Sequence, residues 1–380
     1  MSLIDSDRKA VSRLAATTHA QLRAVLLAHM KRYPAMEPCD GVKLVYQNEF
    51  GGGHLIRDEE ESLQRLYSEY TEVHHAPTLP LWEEIGNGLV RVMLAAVDQT
   101  RYPLDELNRD FIRSANLHSG TRESFEEKLF VLTKLARSGL CPFSVSALEA
   151  YLEAYRQAGY PPVSHSPAYR AAYQPAYRVV RKDCLPPALL SSQPAASIWS
   201  AALDLLQDRP RAIVAIDGRC ASGKSTLATQ IQETYGCCVI HMDHFFLRPE
   251  QRTPLRYDTP GENIDHERFL QEVLLPLTEG MLPSYRPFHC GTQTLGEPIQ
   301  ISDFPIVVVE GSYSCHPVLR EWYDLRIFLS VEPELQMNRI CLRNGRDYAQ
   351  VFREKWIPLE ELYFSQCEVE TCCQLHFTAE

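Results

Sequence analysis

Two patterns of apolar residues divide the chain. In the first 157 residues, apolar positions recur every three or four residues, which is the spacing of one helix face. The pattern predicts helices over residues 10–30, 59–70, 81–97, 122–136 and 146–156. Ser144 and Ser146 are candidate N-caps of the last helix. One stretch, Val42–Phe50, favours a strand that three glycines terminate. We therefore expect a separate, mainly α-helical domain over residues 1–157.

From Ser197 onward, short continuous apolar runs alternate with helical patterns. An amphipathic helix is followed by apolar strands at 212–216, 238–242, 306–309 and 325–331. Uninterrupted apolar strands separated by helices are typical of a parallel sheet buried on both faces. Residues 196–380 are therefore predicted to form an α/β domain, with a parallel sheet flanked by helices.

Residues 158–195 lie between the two patterns and are rich in proline, tyrosine and arginine. Their prolines prevent a long helix, so we expect a linker or strap. The sequence Pro-Ala-Tyr-Arg occurs twice, at 167–170 and 175–178. Interleaved Tyr and Arg can stack on bases and pair with phosphates. Packing of the tyrosines on one of the domains is the favoured interpretation, because aromatic side chains are commonly structural.

Composition and charge limit the classes of partner. The chain has 380 residues, 45% hydrophobic and 23% charged, which is ordinary for a globular protein and excludes wholesale disorder. Its net charge of −11 divides into −1 for residues 1–190 and −10 for residues 191–380. The acidic half is a poor candidate for binding a phosphate backbone by bulk charge, so we do not expect a nucleic acid partner.

The cysteines and the N-terminal sequence indicate a reducing compartment. The 12 cysteines are scattered and contain no C-x-x-C pair, so neither a disulfide framework nor a common zinc motif is predicted. The N-terminus has no apolar segment of the signal-peptide type, and no apolar run approaches the ~18 residues of a membrane span. We expect a cytoplasmic protein without a membrane partner.

One motif carries the chemistry. The sequence GRCASGKS at 218–225 matches G-x-x-x-x-G-K-[ST], directly after an apolar strand and at the start of a helical pattern. The two glycines permit a loop whose N–H groups turn toward an anion, Lys224 can contact the β- and γ-phosphates, and the Ser225 hydroxyl can ligate Mg²⁺. ATP and Mg²⁺ are the predicted cofactors. The expected nucleotide-binding residues are Gly218, Arg219, Cys220, Ala221, Ser222, Gly223, Lys224, Ser225, Thr226 and Arg346.

Two acidic residues follow predicted strands of the same domain. Asp243 comes after the second strand and Glu310 ends the third, so both are expected at the ligand-binding edge of the sheet. Glu310 has the position of a Walker-B carboxylate, which orients Mg²⁺. Asp243 can accept a proton from a substrate hydroxyl or hold Mg²⁺; its alternative role is a helix cap. His241 and His244 flank Asp243 and leave a transition-metal site as a further alternative.

Arginines near a glycine form a candidate lid. Arg339 and Arg343 are four residues apart on one predicted helix face, and Asn344-Gly345-Arg346 follows. Such arginines can close over a triphosphate and stabilise the transferring group. Charges that face solvent and pair with local acids are an equally good interpretation.

These segments together resemble the uridine kinase/phosphoribulokinase family of P-loop kinases. The segments are GRCASGKS at 218–225, DHF at 243–245, ENIDHERF at 262–269, SYRPF at 284–288, VVVEG at 307–311 and the arginines of 339–346. The resemblance covers about residues 197–365. It implies a five-stranded parallel sheet with a lid, Asp243 as catalytic base and Glu310 as a residue that holds Mg²⁺. It further implies that Asp265 and His266 reach sugar hydroxyls and that Tyr285 and Phe288 line an acceptor pocket.

The function expected from these residues is transfer of the ATP γ-phosphoryl group to a hydroxyl of a nucleoside or another small metabolite. A kinase with a different acceptor, such as pantothenate, a sugar phosphate or glycerate, is one alternative. A nucleotide-binding regulatory module with little turnover is another, and an RNA-related role of the Tyr/Arg segment is a third. The role of residues 1–157 and the oligomeric state, a homo-oligomer included, stay open.

Overall fold

The computed structural model describes residues 19–52, 56–73, 80–98, 102–117, 120–186, 189–190 and 193–379. The chain forms two compact units. The first extends to Pro210 and includes Thr234–Gly236, and the second comprises Arg211–Glu233 and Cys237–Glu380. Residues 10–18 of the first predicted helix lie outside the described residues, and residues 19–32 are helical.

The first unit is mainly helical, as predicted, and it also contains a three-stranded antiparallel sheet whose strands pair in chain order. Its main elements are α1 (19–32), α2 (Pro38–Phe50), α3 (Glu59–Glu72), β1 (Trp82–Gly86), β2 (Leu89–Met93), α4 (Leu104–Ala115), α5 (Arg122–Arg137), α6 (Val145–Gln157), α7 (Pro167–Tyr173), β3 (Tyr177–Arg181) and α8 (Pro194–Leu205). The Ser144 hydroxyl caps α6 by accepting a hydrogen bond from the Ala147 N–H at 3.2 Å.

The predicted strand Val42–Phe50 is wrong, because these residues belong to α2. Proline is at the first helical position, where its fixed φ suits a helix and its missing N–H has no cost. The Asp40 carboxylate accepts a hydrogen bond from the Glu37 N–H at 2.9 Å and stabilises the helix start. Burial of Val42 and Val45 in the core outweighs the modest helix propensity of valine.

The predicted helix over residues 81–97 is also wrong, because β1 and β2 form a hairpin there. The turn Gly86-Asn87-Gly88 has positive φ at all three residues (79°, 55° and 69°), a conformation that Gly and Asn adopt most easily. Both strands are buried along their whole length. Burial on both faces removes the polar alternation that distinguishes a strand from a helix in a sequence.

Residues 158–195, predicted as a linker or strap, contribute α7 and β3 to the first unit. Tyr169 is buried, with its ring stacked on His165 at 4.3 Å between centroids and tilted against Tyr33 at 5.4 Å. Arg178 is buried as well and pairs with Glu69. Tyr169 of the first motif therefore packs inside the first unit, and Arg178 of the second motif forms an ion pair there.

The second unit contains the predicted parallel sheet, which confirms the fold class. Its five strands are β4 (Ala212–Gly218), β5 (Cys238–His241), β6 (Ile306–Glu310), β7 (Leu325–Val331) and β8 (Leu375–Ala379). They pair in parallel in the order β8-β7-β4-β6-β5. Strand β4 is central and every residue in it is buried. The chain leaves β4 at the carboxyl edge of the sheet, where ligands bind in open α/β folds.

Helices and short ladders surround this sheet. The helices are α9 (Lys224–Tyr235), α10 (Pro254–Asp258), α11 (His266–Phe269), a π-helical turn at Leu270–Leu274, α12 (Leu275–Thr278), α13 (Pro333–Asn344), α14 (Arg346–Val351), a second π-helical turn at Phe352–Trp356, α15 (Ile357–Gln366) and α16 (Val369–Cys372). Two-residue ladders join Ser284–Tyr285 to Ile299–Gln300 and Phe288–His289 to Thr294–Leu295. A 3₁₀ turn at Met242–Phe245 follows β5 directly.

Two further observations concern the whole described chain. All twelve cysteines are free thiols. Among the helices that the structure describes, none combines the length and the apolar character needed to cross a bilayer.

Candidate active site

The loop at 218–225 connects the central strand β4 to α9. Gly218 has φ +133°, and a Cβ atom there would lie 2.1 Å from the carbonyl oxygen of Leu329 in β7. No other residue type fits that distance, so the loop depends on glycine at this position. Gly223 (φ +98°) and Ala221 (φ +59°) also have left-handed backbone conformations. The loop therefore has the strained, inward-turned backbone that an anion-binding nest requires.

Lys224 and Ser222 provide polar groups inside the loop. The Lys224 ammonium donates hydrogen bonds to the carbonyl oxygens of Gly218 (2.7 Å) and Arg219 (2.9 Å), and the residue is buried. The Ser222 hydroxyl is buried and has no hydrogen-bond partner among the described residues. A phosphate oxygen would satisfy such a donor, so the chemistry of the loop fits the polyphosphate that the motif predicts.

Asp217, which is not among the predicted site residues, is a buried carboxylate next to the loop. It accepts hydrogen bonds from the N–H groups of Gly218 (2.7 Å) and Cys315 (2.8 Å) and from the Tyr363 hydroxyl (2.8 Å). Burial raises the pKa of Asp217 to about 6. These bonds connect the loop to the segment after β6 and to α15, so Asp217 is a positioning residue.

Glu360 performs a similar task from α15. Its carboxylate accepts hydrogen bonds from the Cys220 N–H (2.9 Å) and the Ser312 hydroxyl (2.7 Å). Neither Asp217 nor Glu360 belongs to a recognisable motif. The only sequence signal for Asp217 is its position directly before the first loop glycine.

Two predicted nucleotide-binding residues, Arg219 and Cys220, make other contacts with their side chains, and a third, Thr226, is exposed. The Arg219 guanidinium is engaged by the Glu361 carboxylate at 2.7 and 3.0 Å. The Cys220 thiol accepts a hydrogen bond from the Gln336 amide at 3.3 Å. Thr226 is exposed in the first turn of α9. The backbone N–H groups of Arg219 and Cys220 are engaged as well, by the Leu329 carbonyl oxygen at 3.2 Å and by the Glu360 carboxylate at 2.9 Å.

Ser225, Glu310 and His241 meet at the carboxyl edge of the sheet. The Ser225 hydroxyl donates to Glu310 Oε2 at 3.0 Å, and His241 Nδ1 lies 2.6 Å from Glu310 Oε1. The parallel register of β5 and β6 places Glu310 opposite His241. The hydrogen bond with Glu310 raises the pKa of His241. A hydroxyl and a carboxylate side by side are oxygen ligands of the kind that Mg²⁺ prefers.

Asp243 lies two residues beyond His241, in the 3₁₀ turn. Its side chain is accessible to solvent, although protein surrounds most of it. Desolvation, followed by repulsion from Glu310, raises the pKa of Asp243, whereas the charges of Lys224 and Arg343 oppose the rise. The two carboxylates therefore interact electrostatically, as their positions at the ends of adjacent parallel strands predict.

The transition-metal alternative at residues 241–244 finds no support among the described residues, because these residues do not bring three candidate ligand atoms close together. Within the described ranges, the one group of three candidate ligands that come close together is Glu262, His266 and His316. The imidazoles of the last two stack at 4.2 Å, and Glu262 forms an ion pair with Arg256 that offsets its charge.

The predicted lid arginines have three different environments. The Arg339 guanidinium lies 3.3 Å from the carbonyl oxygen of Ala221 in the loop. Arg343 bonds to Asn344, and its charge is close enough to influence Asp243. Arg346 is exposed at the start of α14. The structure thus brings Arg339 and Arg343 to the site and leaves Arg346 on the surface.

The four predicted acceptor residues do not form one cluster. Tyr285 bonds to His244, next to Asp243. Phe288, three residues after Tyr285, is buried. Asp265 caps α11 by accepting a hydrogen bond from the Arg268 N–H at 3.2 Å. His266 bonds to Glu262, at 3.1 Å. Tyr285 and Asp265 therefore have direct links to the turn that carries Asp243, Tyr285 through His244 and Asp265 through its N–H, which donates to the Phe245 carbonyl oxygen at 2.7 Å.

Arg268 was not predicted, yet it supports that turn. Its guanidinium donates to the carbonyl oxygen of His244 at 2.7 Å and lies over the Phe245 ring at 4.2 Å. The Asp265 carboxylate is 3.5 Å from Arg268 Nε. Asp265 and Arg268 together hold the backbone that places Asp243.

The sheet order and the loop geometry define the second unit as a P-loop kinase-like fold. No protein-family model matches the chain. A possible uridine kinase from Bacillus stearothermophilus is 19% identical over 47% of this chain and 96% of its own, with a TM-score of 0.36. A putative fructose transport system kinase from Silicibacter sp. TM1040 is 21% identical over 48% and 98%, with a TM-score of 0.38. A shikimate kinase from Bacteroides thetaiotaomicron is 15% identical over 44% and 86%, with a TM-score of 0.22.

Proposed function

We propose that the second unit is an ATP-dependent kinase that phosphorylates a hydroxyl group of a small molecule. The observation that carries the proposal is the meeting of three groups at one sheet edge. These are the Ser225 hydroxyl and the Glu310 carboxylate, 3.0 Å apart, and the Asp243 carboxylate, which is within electrostatic range of Glu310. A phosphate loop alone fits any nucleotide-binding protein, whereas a further carboxylate beside the metal ligands fits a hydroxyl acceptor.

The loop residues Gly218–Thr226 would hold the phosphates of ATP. The N-terminal end of α9 contributes free N–H groups and a favourable dipole, and Lys224 contributes a positive charge. Release of the Lys224 ammonium from the two loop carbonyls would let it contact the phosphates. Arg339 and Arg343 would add positive charge next to the transferred group.

Ser225 and Glu310 would hold Mg²⁺, with Asp243 as a further ligand through water. When bound, Mg²⁺ supplies neutralisation of the charge that develops on the phosphate oxygens. His241 Nδ1 bonds to the other oxygen of the Glu310 carboxylate, Oε1, at 2.6 Å. It thereby holds the carboxylate in place at the edge of the sheet.

Asp243 would act as the general base. Its raised pKa makes it a better proton acceptor than an ordinary surface carboxylate. It takes the proton of the acceptor hydroxyl as the oxygen forms its bond to the γ-phosphorus and the bond to ADP breaks. The rest of the catalysis is positioning and charge stabilisation by the loop and the arginines.

The acceptor would bind beside the turn 242–245, next to Tyr285. A nucleoside or another sugar-bearing metabolite is the proposed class, and pantothenate, sugar phosphates and glycerate are the alternatives. Of the residues that the resemblance assigns to the acceptor, Tyr285 is linked to the turn by its hydrogen bond to His244.

The test is a screen of these acceptors with labelled ATP and the full chain. We expect one class to give a phosphorylated product and to stimulate ADP formation. Lys224→Ala should lower turnover by about 10²-fold or more, since it removes charge stabilisation from the transition state. Lys134→Ala, an exposed lysine of α5, is the matched control and should have no effect. ADP formation that no acceptor stimulates would contradict the proposal.

A further inference from the structure

The first unit contains a cavity of about 480 Å³, defined here as the α2–α7 cavity. Its lining comes from α2, α3, α7 and β3, and it includes Lys43, Gln47, Glu69, His165, Arg170 and Tyr177. A volume of this size suits a small molecule. None of these residues belongs to the proposed kinase site.

Two cations in the lining have no anionic partner. Among the described residues, neither the Lys43 ammonium nor the Arg170 guanidinium has a hydrogen bond or an ion pair. Lys43 is half-buried, whereas Arg170 is exposed. Burial, followed by repulsion from Arg91 and Arg170, lowers the pKa of Lys43 to about 8. Cations that repel one another around an open cavity are a feature of sites that bind anions.

The acidic residues near the cavity are already occupied. Asp40 is buried, and its carboxylate accepts hydrogen bonds from the Ser166 hydroxyl (2.7 Å) and from the N–H groups of Ser166 (3.0 Å) and Glu37 (2.9 Å). Asp40 Oδ1 also lies 2.8 Å from His165 Nδ1. Glu69 forms an ion pair with Arg178. Within the lining, Glu69 is therefore neutralised by Arg178, whereas Asp40, which is not part of the lining, keeps its negative charge and offsets part of the charge of Lys43.

A chain of hydrogen bonds fixes the polar wall of the cavity. Burial lowers the pKa of His165 to about 4, so the imidazole is neutral at pH 7. With its Nδ1 proton donated to Asp40, its Nε2 accepts the hydroxyl proton of Tyr177 at 2.7 Å. The Tyr177 hydroxyl in turn accepts from the Gln47 amide at 3.3 Å, and the Gln47 carbonyl accepts from Arg91 at 2.7 and 3.0 Å.

This arrangement determines what the cavity can bind. The Tyr177 hydroxyl proton and both polar groups of the Gln47 side chain already form hydrogen bonds within the wall. The strong donors left for a ligand are the Lys43 ammonium and the Arg170 guanidinium. Their two charges match a dianion, and guanidinium and ammonium groups are the usual ligands of phosphate.

We propose that the α2–α7 cavity binds a small molecule that carries a phosphate monoester, with Lys43 and Arg170 as the residues that hold the phosphate. The second Pro-Ala-Tyr-Arg motif supplies Tyr177 to the wall and the first supplies Arg170. The repeat thus serves both packing and binding. This site is independent of the proposed kinase activity and needs no metal ion.

The test is isothermal titration calorimetry on the full chain with the Lys224→Ala substitution, which removes the main phosphate-binding cation of the P-loop. The probes are glycerol 3-phosphate and ribose 5-phosphate, with glycerol and ribose as uncharged controls and malonate as a dicarboxylate. We expect one phosphate ester to bind with a stoichiometry of one, and neither uncharged control to bind. Lys43→Gln and Arg170→Gln should each weaken that binding about tenfold or more.

Arg109→Gln, an exposed arginine of α4, is the matched control and should leave the affinity unchanged. Both cavity variants replace side chains that form no hydrogen bond or ion pair within the described part of the chain, so they should melt at the temperature of the parent chain. The proposal is overturned if neither phosphate ester binds, or if the affinity is the same in Lys43→Gln and Arg170→Gln. Malonate binding as tightly as the esters would overturn the assignment to phosphate.

Discussion

The P-loop site and the α2–α7 cavity use charged residues in opposite ways. At the P-loop, the Lys224 ammonium is satisfied by loop carbonyls, whereas Glu310 and Asp243 place two interacting carboxylates at the edge of the sheet. In the cavity, Glu69 is paired with Arg178, whereas Lys43 and Arg170 form no hydrogen bond or ion pair with any described residue. An acidic cleft binds a polyphosphate well only together with a divalent cation, whereas a cationic cavity binds an anion directly. We therefore expect binding and transfer of phosphate at the P-loop to require a divalent cation, and anion binding in the α2–α7 cavity not to require one.

Removal of Mg²⁺ should have the largest effect and should affect one site alone. With excess EDTA, we expect no measurable phosphorylation, because Ser225 and Glu310 then have no cation to share with the phosphates. Binding of a phosphate ester in the α2–α7 cavity should keep its affinity in the same buffer. Turnover assays and calorimetry with and without EDTA measure both. Equal sensitivity of the two sites to EDTA would contradict the comparison.

Gly218→Ala should damage the P-loop without affecting the first unit. The added Cβ would lie 2.1 Å from the Leu329 carbonyl oxygen, so the loop or β7 must shift. We expect a loss of about 2–3 kcal/mol in the free energy of unfolding of the second unit, together with loss of ATP binding. Chemical denaturation and ATP titration measure the two effects.

Gly280→Ala is the matched control for this substitution. Gly280 has φ +80° and no atom within 4 Å of an added Cβ, so it isolates backbone strain from the clash. We expect a cost of about 1 kcal/mol there and normal ATP binding. Equal effects of the two substitutions would show that the contact with Leu329 is not what requires glycine.

A smaller effect is expected from pH on the cavity. The pKa of Lys43 is about 8 because burial, Arg91 and Arg170 lower it more than Asp40 and Cys39 raise it. Lys43 therefore loses its charge as the pH rises through 8, while a phosphate ester with a second pKa of about 6 stays a dianion. We expect the affinity to fall by up to about tenfold per pH unit above pH 8. Calorimetry between pH 7 and 9.5 checks this, and an affinity that rises with pH would contradict it.

The two sites also differ in how far they could be predicted from sequence. The P-loop occupies eight consecutive residues, and Asp243 and Glu310 follow apolar strands, so local patterns were sufficient to find them. The contact between Glu310 and His241 depends on the order of β5 and β6 in the sheet, which no local pattern contains. Asp217 and Glu360 cannot be predicted from local patterns, because a buried carboxylate that bonds to backbone N–H groups has no motif.

The α2–α7 cavity could not be predicted, because its lining comes from residues between 43 and 177 of the sequence. Two errors in the first unit made this harder. Val42–Phe50, which includes Lys43 and Gln47, was predicted as a strand, and residues 81–97 as a helix. The turn Gly86-Asn87-Gly88 was a hairpin signal that the three-to-four spacing of apolar residues concealed. Pro38 and Asp40 were likewise signals of a helix start.

The central claim, that Asp243 is the base of a phosphoryl transfer, is tested most directly by Asp243→Asn with ATP binding and turnover measured on the same protein. Asp258→Asn, an exposed acid at the end of α10, is the control. We predict that Asp243→Asn lowers turnover by at least about 10²-fold and leaves the Kd for ATP within about twofold of that of the parent chain. Unchanged turnover in Asp243→Asn, or loss of turnover and ATP binding together, would contradict the account.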